Sequence, residues 1–459
     1  MSRFNLSFFP TSRALGLLAL FVLTALLSGW ILFSNVTKTS FHGDEPGWIS
    51  EGFYYVDLLK KKDFDREKWL NRQARGWGAF NLPLGKYIIG VPVTIYSSRH
   101  WDGKKYYGFY QWNGGGYIEQ KRRGNVPPDE ILFTARRVTA FFGALTVGIV
   151  FILGYLTYNV WVGVIASSLL MFNGLFIETS TRAMIDIFYN FFMILFCIVA
   201  VWFLKSSTRW RALISSALFG VVVGLSCSVK LTGIIIGAIL FGLLSAYKMY
   251  VENKSRSDAA NWALVAMISS LVVIYALNPL FWVSFGKIDA GALVKESGPL
   301  YTEVVREGIR KDEMYARYPQ FANITKPFDF FNMFFRWKNN NKWQTVWNKG
   351  KMWKQSKAIE FNNDFLFKRS TFRFQWIFFF FGFAIFAIKI IKSIRQGQVS
   401  PLGVTLFFFL VNYFFLLFTL GVNWGRWYMA IIISGDIIAS AGIYEAVIWT
   451  GRKIIRRPA

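Results

Sequence analysis

Ala14 to Phe33 is a run of twenty residues without a single charge, and comparable runs recur to the C-terminus. About twenty apolar residues cross a bilayer as an α-helix. Lipid tails offer no partners to backbone N–H and C=O groups, so only helices or closed barrels can span it. The chain is 54% hydrophobic and 17% charged, against about a quarter charged in soluble domains. A water-soluble fold would have to bury all of these runs in one core. The pattern therefore predicts an all-α polytopic membrane protein.

Spans are expected near residues 14–34, 133–157, 160–177, 184–204, 212–228, 231–250, 262–283, 374–392, 402–420 and 427–449. Arg3 and Arg13 precede the first run, which is too long for a cleaved leader and reads as an uncleaved span. With ten spans both termini share one side. Lys205, Arg209 and Arg211, then Lys248, Lys254 and Arg256, then Lys389, Lys392 and Arg395, and finally Arg452, Lys453, Arg456 and Arg457 all fall on that side. The positive-inside rule makes it cytoplasmic. Two long segments, 35–132 and 284–373, then face outward. Leu82 to Tyr96 contains Lys86 and Pro92, and at about fifteen residues it is short for a span. It reads as an interfacial or re-entrant helix, with a second near Pro46 to Lys61. This divides the chain into a membrane module over 1–283, an outer segment over 284–373 and C-terminal spans over 374–459.

The net charge of +26 fits cationic span ends and attraction to anionic lipid or phosphate. Nucleic acid is a poor partner, because the basic residues are spread between spans. Cys197 and Cys227 both lie in apolar runs and suggest neither a disulfide framework nor a metal site.

Asp44 and Glu45 follow the first span in Phe41-His42-Gly43-Asp44-Glu45-Pro46. Adjacent acids there can simply favour a helix dipole. They can also supply a general base for an acceptor hydroxyl or amine. Arg136, Arg137, Arg182, Lys230 and Arg426 lie at the outer ends of spans, with Lys86 on the interfacial helix. Singly, each reads as a cation snorkelling to the surface. Together they suit a departing phosphate, whose negative charge grows as it leaves. Asp186 and Asn190 share a helix face, and Asp186 beside Arg182 reads as an ion pair or as orienting that arginine toward phosphate.

In this order the motifs resemble those of the protein O-mannosyltransferases and the related lipid A aminoarabinose transferases, which have the GT-C fold. The family's Asp-Glu pair is matched by Asp44-Glu45, and its His-Pro-Pro-Leu-Gly-Lys by Asn81-Leu82-Pro83-Leu84-Gly85-Lys86. A Tyr-Asp-Gly resembles Trp101-Asp102-Gly103, and an Arg opening the next span corresponds to Arg136 or Arg137. An Arg with a Leu-Asp resembles Arg182 with Ile185-Asp186. A Lys-Trp-Gly resembles Lys230-Leu231-Thr232-Gly233, and an Arg-Tyr resembles Arg426-Trp427-Tyr428. Asn81 and Leu82 replace the family's His and first Pro.

The resemblance implies a GT-C-like bundle of about ten transmembrane helices with interfacial helices and an outer loop region. It further implies a mannosyltransferase-like enzyme of a prokaryotic cell membrane. Sugar would pass, with inversion, from a polyprenyl-phosphate donor to a protein, lipid or glycan acceptor on the outer face. Asp44 would be base or acceptor-orienting acid, Glu45 would position substrate, and the six cations would hold the phosphate. Asn81, Asp102 and Asp186 would support them. A divalent metal at Asp44 and Glu45 stays open, although His42 and His100 are the only histidines. The segment 284–373 would cover the site, with Trp337, Trp343, Trp347 and Trp353 on sugar or lipid. The rival readings are a lipid-linked-sugar transporter and a non-catalytic envelope component.

Overall fold

A computed structural model of the chain describes residues 11–65, 68–69, 82–111, 115–279, 282, 368–419 and 425–455. Fourteen α-helices are described. They are α1 (Thr11–Asn35), α2 (Glu45–Lys61), α3 (Leu84–His100), α4 (Tyr117–Arg122), α5 (Asp129–Thr157), α6 (Val160–Met171) and α7 (Gly174–Thr181). Then come α8 (Asp186–Lys205), α9 (Arg209–Val229), α10 (Thr232–Val251), α11 (Arg256–Leu277), α12 (Gln375–Arg395), α13 (Leu402–Thr419) and α14 (Met429–Ile455). A 3-10 turn, Gly425–Tyr428, leads into α14.

Among the described residues eight helices are long and apolar enough to cross a membrane: α1, α5, α8, α9, α10, α11, α12 and α14. With the pair α6–α7 and the shorter apolar α13, they account for all ten expected runs. The third run is not the continuous span its composition suggests. It bends by 67° between Met171 and Gly174. Asn173 causes the break: its side-chain oxygen accepts from the N–H groups of Leu175 and Phe176, starting a new helix there. The twelve residues of α6 rise only about 18 Å, short of the roughly 30 Å hydrocarbon core.

Lipid-facing sides are visible in what stays uncovered. Leu15, Leu26 and Trp30 of α1, Val272 of α11 and Ile388 of α12 are exposed, a pattern affordable only against lipid tails. Inside, Phe188, Phe196 and Phe203 of α8 are fully buried. Where helices cross most closely, glycine allows backbone contact. A Cβ on Gly382 of α12 would lie 1.9 Å from the Ile438 carbonyl oxygen of α14.

The segments read as interfacial are helices α2 and α3, packed against each other at one end of the bundle. Pro46 sits in the first turn of α2, where a missing N–H costs nothing. At the other end the cations gather as counted. Lys248 Nζ donates to the Leu204 and Ser206 carbonyls and pairs with Glu252. Lys389 pairs with Glu445 at 2.9 Å. Most of 284–373, including Trp337, Trp343, Trp347 and Trp353, lies outside the described residues.

Candidate active site

Between α1 and α2 the chain turns through residues 36–44, and this turn is nailed down by one arginine. Arg136 projects from the first turns of α5 and is 2% exposed. Its Nε and Nη2 donate to the two carboxylate oxygens of Glu45, both at 2.7 Å. Nη1 donates to the carbonyls of Val36 and Thr39 at 2.9 and 2.8 Å, and Nη2 reaches Ser40 O at 3.4 Å. Glu45 also accepts from Ala183 N at 2.8 Å and His42 N at 2.9 Å. A guanidinium has five N–H donors and a carboxylate about four acceptor directions. Both sets are used up in this clamp.

Asp44, one residue earlier, lies in a different group. Its Oδ2 accepts from Arg426 Nη1 at 2.9 Å. Arg426 Nε is in turn 3.9 Å from Asp186 Oδ2, and Asp186 Oδ1 accepts from Lys230 Nζ at 3.1 Å. The Lys230 ammonium also stands 5.7 Å from the centre of the Tyr189 ring. Four alternating charges thus come from the turn before α2, the 3-10 turn before α14, the first residue of α8 and the residue capping α9. The cations are the more accessible partners: Arg426 and Lys230 side chains are 17% and 26% exposed, Asp44 and Asp186 only 8% and 6%. An incoming anion therefore meets arginine and lysine first.

Two further residues frame this group. Arg182 pairs with Glu178 at 2.6 Å, and its Nη2 donates to Ser40 Oγ at 2.9 Å. His42 Nδ1 accepts from Asp44 N at 3.1 Å and lies 3.7 Å from Asp44 Oδ2. Burial pulls the His42 pKa below its ordinary value. Asp44 opposes that shift, while Arg426 and Arg182 reinforce it.

Asp44, Asp186, Lys230 and Arg426 are therefore brought into one network, with Arg182 adjoining through Ser40. The remaining candidates are not. Arg136 and Glu45 are consumed by each other and by the turn. Lys86 is 1% exposed and pairs with the fully buried Glu51 of α2 at 3.2 Å, above the Tyr55 ring. Arg137 is exposed and makes no ion pair among the described residues. Asp102 is exposed in the turn after α3, and Asn81 lies outside the described residues. The expected pairing of Asp186 with Arg182 does not form. Helix α7 ends at Thr181 and Arg182 is extended, with φ −97° and ψ 141°, so the two residues share no helix face. Asn190 does share a face with Asp186, donating to its carbonyl at 2.7 Å.

All four acceptor directions of Glu45 are taken by N–H donors of the protein. Among the described residues no three His, Cys, Asp or Glu side chains converge on a cation site. Tyr189 and Glu51 belong to none of the sequence motifs above. For Glu51 the signal was available: an acid among apolar neighbours on a helix must find a cation.

Residues 103–287 match the model of the dolichyl-phosphate-mannose-protein mannosyltransferase family. That stretch holds Arg136, Arg182, Asp186 and Lys230. No curated protein matches the sequence. Among solved structures, the fold is similar to the archaeal oligosaccharyltransferase AglB from Archaeoglobus fulgidus, in complex with an inhibitory peptide and a dolichol-phosphate. The TM-score is 0.58 at 13% identity, over 98% of this chain and 53% of that one. The Archaeoglobus fulgidus oligosaccharyltransferase tethered to an acceptor peptide containing the NVT sequon gives 0.56 at 15% identity, over 96% and 50%. ArnT from Cupriavidus metallidurans in the apo state gives 0.50 at 11% identity, over 94% and 60%. The chain thus spans about half the length of the oligosaccharyltransferases it matches. With its apolar helices, its charged end and these likenesses, the chain is an integral, multi-pass membrane protein of the GT-C fold that resembles the dolichyl-phosphate-mannose-protein mannosyltransferases.

Proposed function

We propose that this protein transfers a sugar from a polyprenyl-phosphate donor to a protein, lipid or glycan acceptor, with inversion, at the bundle end that carries Asp44. The observation that carries the reading is the sharing of Arg426 between Asp44 and Asp186, beside Lys230. In the resting arrangement the Arg426 guanidinium occupies Asp44 Oδ2. A donor phosphate that draws Arg426 and Lys230 to itself loosens that hold. Asp44 then takes the proton of the acceptor O–H or N–H as that atom attacks the anomeric carbon. The bond from carbon to phosphate oxygen breaks on the opposite face, and its electron pair leaves with the polyprenyl phosphate. The diester's single negative charge grows toward that of a monoester, and Arg426 and Lys230 meet it where it develops. Arg182, close by through Ser40, is a third cation for the phosphate. Glu45 and Arg136 act at one remove, holding the turn that presents Asp44.

The fold neighbours solved with a dolichol-phosphate and with an acceptor peptide support a lipid phosphate and a peptide as substrates. The cations Lys205, Lys248 and Lys389 at the far end support an outward-facing site, by the positive-inside rule.

The test is sugar transfer by the purified protein from radiolabelled polyprenyl-phosphate mannose, glucose and aminoarabinose, with membranes as acceptor. Wild type should transfer at least one of these, and Asp44→Asn should lose about two to four orders of magnitude. Equal transfer by both removes Asp44 from the mechanism. No transfer from any donor moves the assignment to lipid-linked-sugar transport.

A further inference from the structure

Arg426 bridges the two acids of the site, at 2.9 Å from Asp44 and 3.9 Å from Asp186. Its reach to both depends on where its backbone sits. That backbone is the four-residue 3-10 turn Gly425–Tyr428. The hydrogen bonds of such a turn are few and poorly aligned, so its orientation follows what its side chains hold. At about 120° per residue, Arg426 and Tyr428 project to different sides. Arg426 meets the carboxylates, with its Nη1 also 3.8 Å from Met184 Sδ. Tyr428 is 0% exposed and sits in the apolar core.

Over the Tyr428 ring lies Arg369, from the stretch before α12, with its guanidinium 4.5 Å from the ring centre. A cation holds an aromatic face more firmly where water is excluded, and this ring is fully buried. The Arg369 backbone is fixed as well. Its carbonyl accepts from Asn173 Nδ2 at 2.8 Å. Asn173 Nδ2 also donates to Thr371 Oγ1 at 3.2 Å, and Thr371 Oγ1 donates to Leu169 O at 2.8 Å. Gln375 Oε1 accepts from Thr371 N at 2.7 Å. Asn173 is the same residue whose side-chain oxygen starts α7, and α7 packs on the 3-10 turn. One asparagine thus ties the stretch that carries Arg369 to the helix beside Arg426.

We propose that Arg369 is a positioning residue for Arg426: stacked on Tyr428, it sets the turn from which Arg426 reaches Asp44 and Asp186. The proposal rests on the reading of that network as a donor-phosphate site. Arg369 acts through the Tyr428 ring and not as a phosphate ligand. A planar guanidinium suits this task and an ammonium does not.

Binding of undecaprenyl phosphate and of dolichyl phosphate by the full chain in detergent would be measured by native mass spectrometry. The proteins compared are wild type, Arg369→Gln, Arg426→Gln and the double variant. Arg369→Gln should weaken binding about tenfold, the order expected for a desolvated cation–ring contact. That loss should vanish in the Arg426→Gln background, because coupled residues are not additive. Arg369→Lys should not restore affinity. Tyr428→Phe should bind like wild type and Tyr428→Leu like Arg369→Gln, and this pair serves if Arg369→Gln fails to fold. Equal losses in both backgrounds would make Arg369 a phosphate ligand in its own right and overturn the proposal. So would full rescue by lysine, or an Arg369→Gln protein that binds like wild type. If wild type binds neither lipid, the donor-phosphate reading of the site falls first, and this proposal with it.

Discussion

Glu45→Gln and Asp44→Asn make the same chemical change in adjacent residues, and the structure requires opposite outcomes. Glu45 is fully buried and accepts four hydrogen bonds, two of them from Arg136. A glutamine keeps one oxygen for Arg136 Nε and Ala183 N. Its amide nitrogen then faces two donors, Arg136 Nη2 and His42 N. Arg136, 2% exposed, is left as a buried cation without a counterion. Breaking a buried pair from one side costs about 3–5 kcal/mol, a large share of a typical stability of about 5–15 kcal/mol. Asp44→Asn leaves an amide oxygen that can still accept from Arg426, at a cost of about 1 kcal/mol. Thermal unfolding in detergent, paired with the transfer assay, separates the two. Glu45→Gln should lose about 3–5 kcal/mol, whereas Asp44→Asn should melt near wild type with activity down about a hundredfold or more. A Glu45→Gln protein that melts like wild type would refute the clamp, and with it the separation of the two acids.

Lys86→Met leaves Glu51 charged and buried, and should destabilise by about 3–5 kcal/mol. The double variant with Glu51→Gln should recover part of that in the same melt. If Lys86→Met instead melts normally and only raises the donor KM, Lys86 reaches phosphate and the buried pairing is wrong. Gly90→Ala would place a Cβ 2.2 Å from the Gly52 carbonyl oxygen. Backbone cannot yield there, so α2 and α3 must separate, and a melt should show a loss of about 1–3 kcal/mol or more. His42 has a lowered pKa in the fold, chiefly from burial. The unfolded chain therefore takes up its proton first as pH falls through about 6.5. Stability is unaffected above that value and declines below it, until the folded histidine also protonates, by at most about 1.4 kcal/mol per pH unit. His42→Gln should flatten this acid-side decline in pH-dependent unfolding, and an unchanged slope would reject it.

Motif reading treated Asp44 and Glu45 as one functional unit. Consecutive residues at a helix start project roughly 100° apart, so neighbours in the chain face different surroundings. Only the position of α5, which brings Arg136 to one of them, and of the turn before α14, which brings Arg426 to the other, separates their tasks. Likewise, the spacing of Arg182 and Asp186 implies a pair only if one helix runs through both. The end of α7 at Thr181 sends them to different partners, Glu178 for one and Lys230 for the other.

Ten apolar segments, two short helices outside them and the gathering of cations at opposite ends were all legible from the residues. Lipid imposes length and charge rules that act on each segment alone, and a local rule leaves a local trace. The burial of Lys86 against Glu51 and the pairing of Arg426 with Asp44 were decided by tertiary structure. Each depends on which helix lies alongside. A charged side chain is exposed or spent according to partners 35 to 382 residues away in sequence, such as Lys86 for Glu51 and Arg426 for Asp44. No spacing along the chain records that choice.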